Sequence, residues 1–180
     1  MQRQQLSFLL TLFCICTNAY AVQTQALPAG VKNAPTSTLQ VSLGSEWVKE
    51  STYDKGLDSL TEDYYNKNLR QNLSITTLYD NDDSELNTKK MYKVNREFQS
   101  NHDTITADMP TPAANDSFQK YGFYWANSKQ SGFDVYIIGD ANTIYSFDYN
   151  SQSVIPKDQM DSILKSIQVC HKDNKCITAN

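Results

Sequence analysis

Hydrophobic and polar residues alternate with a period of two over 121–149, and the architecture of the chain is most legible there. Tyr121, Phe123 and Trp125 share one parity; so do Phe133, Val135 and Ile137, and then Thr143, Tyr145, Phe147 and Tyr149. Successive side chains of a strand point to opposite faces, so each run predicts a strand with one buried face. Turn-forming residues at 127–132 and 139–142 separate the runs, which predicts a three-stranded antiparallel meander. Tyr124, Tyr136 and Ile138 fall on the other faces, where they need cover or form a patch that can bind something. The meander holds nearly half of the 11 Tyr, 7 Phe and 2 Trp residues, which places the core on it.

The period changes to 3.6 after Pro156. Met160, Ile163, Leu164 and Ile167 fall within a stripe of about 100°, Pro156 suits a first turn, and Asp158 and Asp161 suit its positive end. The spacing predicts a C-terminal helix over 156–167 lying on the sheet. Upstream, Leu39-Gln-Val-Ser-Leu43 alternates as a strand, and Gly44-Ser45 breaks it before Trp47. Ser59-Leu-Thr-Glu62 has the form of a capping box, and Leu60, Tyr64 and Leu69 fit one helix face, so a helix is expected from Ser59. Leu73-Ser-Ile-Thr-Thr-Leu-Tyr79 reads as a strand. Over 91–98 the periodicity fits a helix (Met91, Val94, Phe98) or a strand (Tyr92, Val94, Phe98), and the strand is the reading taken. The polar stretch 100–117, with Pro110 and Pro112, is expected to be a long loop of the kind that often carries function. Together these elements predict an α+β fold, a central antiparallel β-sheet with packed helices.

An apolar run over 6–16 behind Arg3 ends near Ala19-Tyr20-Ala21, the form of a secretory signal peptide, and is shorter than the roughly 20 residues that span a bilayer. The expected organisation is a signal peptide at 1–21, a flexible leader at 22–38 and a single globular domain at 39–180. The formal net charge is −4 without a dense basic cluster, which argues against nucleic acid and anionic membranes as partners. Cys14 and Cys16 lie in the signal, so Cys170 and Cys176 are expected to form a disulfide in an oxidising compartment, periplasmic or secreted.

The opening Leu39-Gln-Val-Ser-Leu-Gly-Ser-Glu-Trp47, the meander, and the ending Met160-Asp-Ser-Ile-Leu-Lys-Ser-Ile167 together resemble the PsbP/DcrB-like family. Its members often open with a strand running into a Gly-Trp turn and close with a helix of the form I-L-x-S-[FIL]. The resemblance implies an antiparallel sheet with helices packed on it, in mostly non-enzymatic assembly or binding factors of exported compartments. Ser45-Glu46 stands where a Pro-Gly pair usually precedes the Trp, and the middle of the chain has no counterpart. The family has no single catalytic set, so no functional residue carries over.

Candidate chemistry is sparse. His102 in Ser100-Asn-His102-Asp103 and His171 are the only histidines, and G-x-S-x-G is absent. Cys170, His171 and Cys176 do not have zinc-knuckle spacing. Asp80, Asp82, Asp83 and Glu85 supply oxygen ligands but lack the EF-hand Gly and terminal Glu. Asn72-Leu-Ser74 and Asn115-Asp-Ser117 match glycosylation sequons, which are frequent by chance. No cofactor or metal is implied. The expectation is an exported, non-enzymatic protein-binding or assembly factor of the cell envelope, in its sharper form an immunity-type inhibitor of an exported toxin. Tyr124, Tyr136 and His102 are its candidate binding residues. The competing class is a small secreted hydrolase using the His102 loop.

Overall fold

The computed structural model describes residues 23–31, 35–79, 82–110, 119–140, 142–171 and 175–180. The expected signal peptide, Asp80 and the Asn115 sequon lie outside the described residues. In chain order the elements are β1 (Gln23–Thr24), β2 (Ser37–Val41), β3 (Val48–Asp54), β4 (Ser59–Asn66), β5 (Gln71–Leu78), α1 (Ser84–Ser100), β6 (Thr104–Asp108), β7 (Lys120–Ala126), β8 (Ser131–Asp140), β9 (Thr143–Ser151), α2 (Lys157–Lys165), β10 (Ile167–His171) and β11 (Cys176–Thr178). They form a seven-stranded sheet in the order β3-β4-β5-β9-β8-β7-β6 and a smaller one in the order β1-β2-β10-β11. All pairings are antiparallel.

The fold is therefore mostly β, with two antiparallel sheets and only two helices among the described residues, which corrects the expected α+β class with packed helices. The segment from Ser59 is strand β4. Leu60, Glu62, Tyr64 and Asn66 all point inward, an alternation masked by two polar members. Glu62 is tolerated inside because Lys49 approaches it at 2.6 Å and the Tyr64 hydroxyl donates to it at 3.2 Å, which compensates a buried charge.

Residues 91–98, taken as strand, belong to α1. Asp83 caps that helix by accepting from the Leu86 amide at 3.0 Å, and Glu, Leu, Lys, Met and Arg propagate it. Its sheet-facing residues include buried Ser84 and Thr88, small and polar, so the apolar stripe marks the wrong side. The loop expected over 100–117 contains β6, paired to β7 with a bulge between Ile105 and Ala107. Within the expected leader, Gln23 and Thr24 pair with Val41 and Gln40, and the Thr36 amide donates to the Asp140 carboxylate at 2.6 Å.

The meander is present as β7, β8 and β9 in adjacent positions. Its inner face joins Leu73 and Ile75 of β5 to Phe133, Val135, Ile137, Tyr145, Phe147 and Tyr149. Leu39, Val41, Ile167 and Val169 of the small sheet and Met160 and Leu164 of α2 cover that face. Each such side chain contributes about 1.5–3 kcal/mol on full burial, before entropy. α2 ends at Lys165, so Ile167 enters the core from β10 rather than from the helix. On the outer face α1 lies over β8, β7 and β6. Among the described residues no helix is long and apolar enough to cross a membrane.

Candidate functional site

At the end of the sheet where β4 turns into β5, the core reaches the surface. Leu43, Trp47, Ile155 and Ile163 are partly buried and pack against the core cluster. With half-exposed Leu69 at its edge they line an open groove of about 520 Å³, rimmed by polar residues including Glu46, Gln159, Ser162 and Lys165. Three local devices hold it open. The Trp47 amide donates to the Gly44 carbonyl at 3.1 Å, closing a turn, and the Ser42 amide donates to Ser166 at 2.8 Å, tying that turn to the C-terminal end of α2. Asn66 accepts from the Leu69 amide at 3.1 Å through its side chain. The turn after it passes through Arg70 at φ 52°, a left-handed conformation uncommon outside glycine, and presents Leu69 half-exposed.

An apolar floor inside a polar rim favours an apolar side chain or short segment, because burial drives the contact and the rim fixes its orientation. Glu46 and Lys165 place one charge of each sign on the rim.

The expected binding residues lie elsewhere and apart from one another. Tyr124 is 2% exposed and faces α2; its hydroxyl donates to Asp161 at 2.5 Å, and the Lys157 ammonium lies 4.4 Å from its ring centroid. Burial, then the bond to Asp161, pushes its hydroxyl pKa upward. Tyr136 is 1% exposed, on the opposite face beneath α1, because Tyr124 is registered with Phe133 and Tyr136 with Tyr121. His102 is exposed just past α1, its Nδ1 2.9 Å from the Phe98 carbonyl and its ring 4.7 Å from the Phe98 ring. The structure does not bring the three together. Cys170 and Cys176 are bonded to each other across β10 and β11. Among the described residues no group of His, Cys, Asp or Glu is arranged to hold a metal ion; Asp83 caps α1 and Glu85 pairs with Lys89.

One carboxyl is strongly perturbed. Asp134 is 9% exposed and accepts from the Trp125 indole at 3.2 Å and the Tyr136 hydroxyl at 3.5 Å, while the Asn95 amide of α1 donates to that same hydroxyl at 2.5 Å. Burial, and then the charge of Asp148 directly across the strand pair, pushes its pKa up to about 7. Perturbed carboxyls mark catalytic sites when they face a cleft; this one sits under a helix and links α1 to the sheet.

No family model, curated protein or solved structure matches the chain. Trp47 and Leu69 carried a faint sequence signal, as apolar residues beside the Gly44-Ser45 break and in the polar turn after β4. The convergence of 42–47, 69–71 and α2 is tertiary and left no local pattern.

Proposed function

We propose that this chain is an exported, non-enzymatic binding protein that captures an apolar segment of a protein partner in the groove at Trp47 and Leu69. The observation that carries this reading is the groove itself, where core residues surface beneath a polar rim. Its open form suits a side chain or extended segment of a larger partner better than an enclosed small molecule. Trp at the floor offers a stiff anchoring surface with one hydrogen-bond donor, the residue type over-represented where binding energy concentrates. The disulfide fits an oxidising compartment.

The test uses matched variants. Leu69→Glu places a charge at the groove and Leu57→Glu places one in the polar turn at the other end of β4; both side chains are exposed, so both variants are expected to keep the fold. Cross-linked capture from the exported compartment is expected to enrich a partner with wild type and Leu57→Glu, and at least about tenfold less with Leu69→Glu, the effect of about 1.4 kcal/mol. Equal enrichment by all three would refute the groove.

A further inference from the structure

The outer face of the large sheet is divided. Its covered half lies under α1, whose contacts are with β8, β7 and β6 and only marginally with β9. On the open half, the register aligns Glu50 with Asp63, Asp63 with Ser74, and Ser74 with Asp148, in one row from β3 to β9. A neighbouring row is Thr52, Thr61, Thr76 and Ser146. Counting Asp54, the outward positions of these four strands hold four carboxylates and neither lysine nor arginine. An acidic sheet face of this kind is complementary to a basic surface.

The helix beside it supplies such a surface. α1 carries Lys89, Lys90, Lys93 and Arg96 against Glu85 and Glu97, a net positive balance. Lys89 pairs with Glu85 and Arg96 with Asp108, whereas Lys90 and Lys93 are exposed and in no ion pair among the described residues. The rotation of α1 is set by its contacts: Thr88 is buried, Asn95 reaches Tyr136 of β8, and Tyr92 and Arg96 reach Asp108 of β6. At about 100° per residue, Met91, Val94 and Phe98 then form the flank above β9, and Leu86, Lys90, Lys93 and the acidic Glu97 form the crest, which keeps one net positive charge. Leu86 is 47% exposed on the crest, and Val94 and Phe98 are 63% and 62% exposed on the flank, where the His102 ring lies against Phe98.

We propose that two copies of this chain pair face to face about a two-fold axis. The crest of α1 in each lies on the acidic open half of the other, and the two Val94 and Phe98 flanks meet along the seam. A two-fold interface must be self-complementary, and this face is so in shape and in charge. A helix about 10 Å thick standing over half of a sheet makes a step, and a step closes on a rotated copy of itself. α1 has 17 residues, about 25 Å at helical rise, which matches the roughly 26 Å length of the eight-residue strands beside it. Four strands at about 4.8 Å spacing make the open half on the order of 500 Å². With floor and helix both covered, each copy buries on the order of 1,000 Å², comparable to the roughly 800 Å² per partner of stable complexes. This surface is separate from the groove and does not depend on it.

Sedimentation velocity of the purified chain across a concentration series tests the pairing. A dimer is expected whose affinity falls about tenfold or more between low and high salt. Lys90→Glu with Lys93→Glu should weaken it about tenfold or more, as should Asp63→Lys with Asp148→Lys, each with an unchanged circular dichroism spectrum. All four substitutions in one chain should restore the dimer, because a reversed crest then meets a reversed floor. A chain that stays monomeric at every concentration would overturn the proposal. So would a dimer indifferent to both reversals, one not restored by their combination, or one abolished only by Ser51→Pro on the exposed edge strand β3.

Discussion

Asp134 shows how one side chain couples pH to the anchoring of a helix. Its folded-state pKa, up to about 7, lies above the ordinary value near 3.9, so the folded chain binds more protons than the unfolded one between those limits. Stability therefore decreases as pH rises from about 4 to 7, and the full penalty, on the order of a few kcal/mol, is present above 7. Trp125 and Tyr136 oppose the rise by donating to Asp134. Wild type is expected to melt at a higher temperature at pH 6 than at pH 8. Asp134→Asn should raise the melting temperature at pH 8 and flatten that dependence; an unchanged slope would assign it to other groups. Gly132 makes a second prediction at this scale. A Cβ there would meet the Tyr149 carbonyl and the Trp125 ring, so Gly132→Ala should lower stability by about 1–3 kcal/mol or more in chemical denaturation.

At the level of elements, α2 separates packing from binding. Leu164 is 0% and Met160 3% exposed, whereas Ile163 is only partly buried and lines the groove. Leu164→Ala is expected to cost about 2–5 kcal/mol in denaturant unfolding and Ile163→Ala clearly less. Equal losses would mean that the helix is rotated from the position described. Reduction of Cys170–Cys176 releases a short strand pair at the C-terminus and should cost about 2 kcal/mol. The elements that could be read in the chain were those in which polarity and direction agree. Tyr145, Phe147 and Tyr149 alternate with exposed or half-exposed residues and face the core, and Met160 and Leu164 mark the inner side of α2. Where a polar residue faces inward, the pattern reversed. Glu62 and Asn66 disguised β4, and Ser84 and Thr88 let the outward-facing Val94 and Phe98 of α1 pass for a core stripe.

For the molecule as a whole, the charge balance and disulfide were legible in the sequence, and the surfaces were not. Tyr124 and Tyr136, expected to line an open patch, are consumed by packing on opposite faces. The groove assembles from three stretches that are far apart along the chain, 42–47, 69–71 and 155–166, so no local spacing could announce it. The acidic open half arises only when strand register aligns Glu50, Asp63 and Asp148. Two surfaces of different chemistry would let the chain hold an apolar segment of a partner and a second copy of itself at once. Site-specific photo-crosslinking in cells that make the chain tests the groove most directly. A photoreactive phenylalanine at Leu69 is predicted to give a discrete adduct with one protein, while the same group at Leu57, at the opposite end of β4 and 72% exposed, gives none. Adducts of the same pattern from both positions, or from Leu57 alone, would contradict the account.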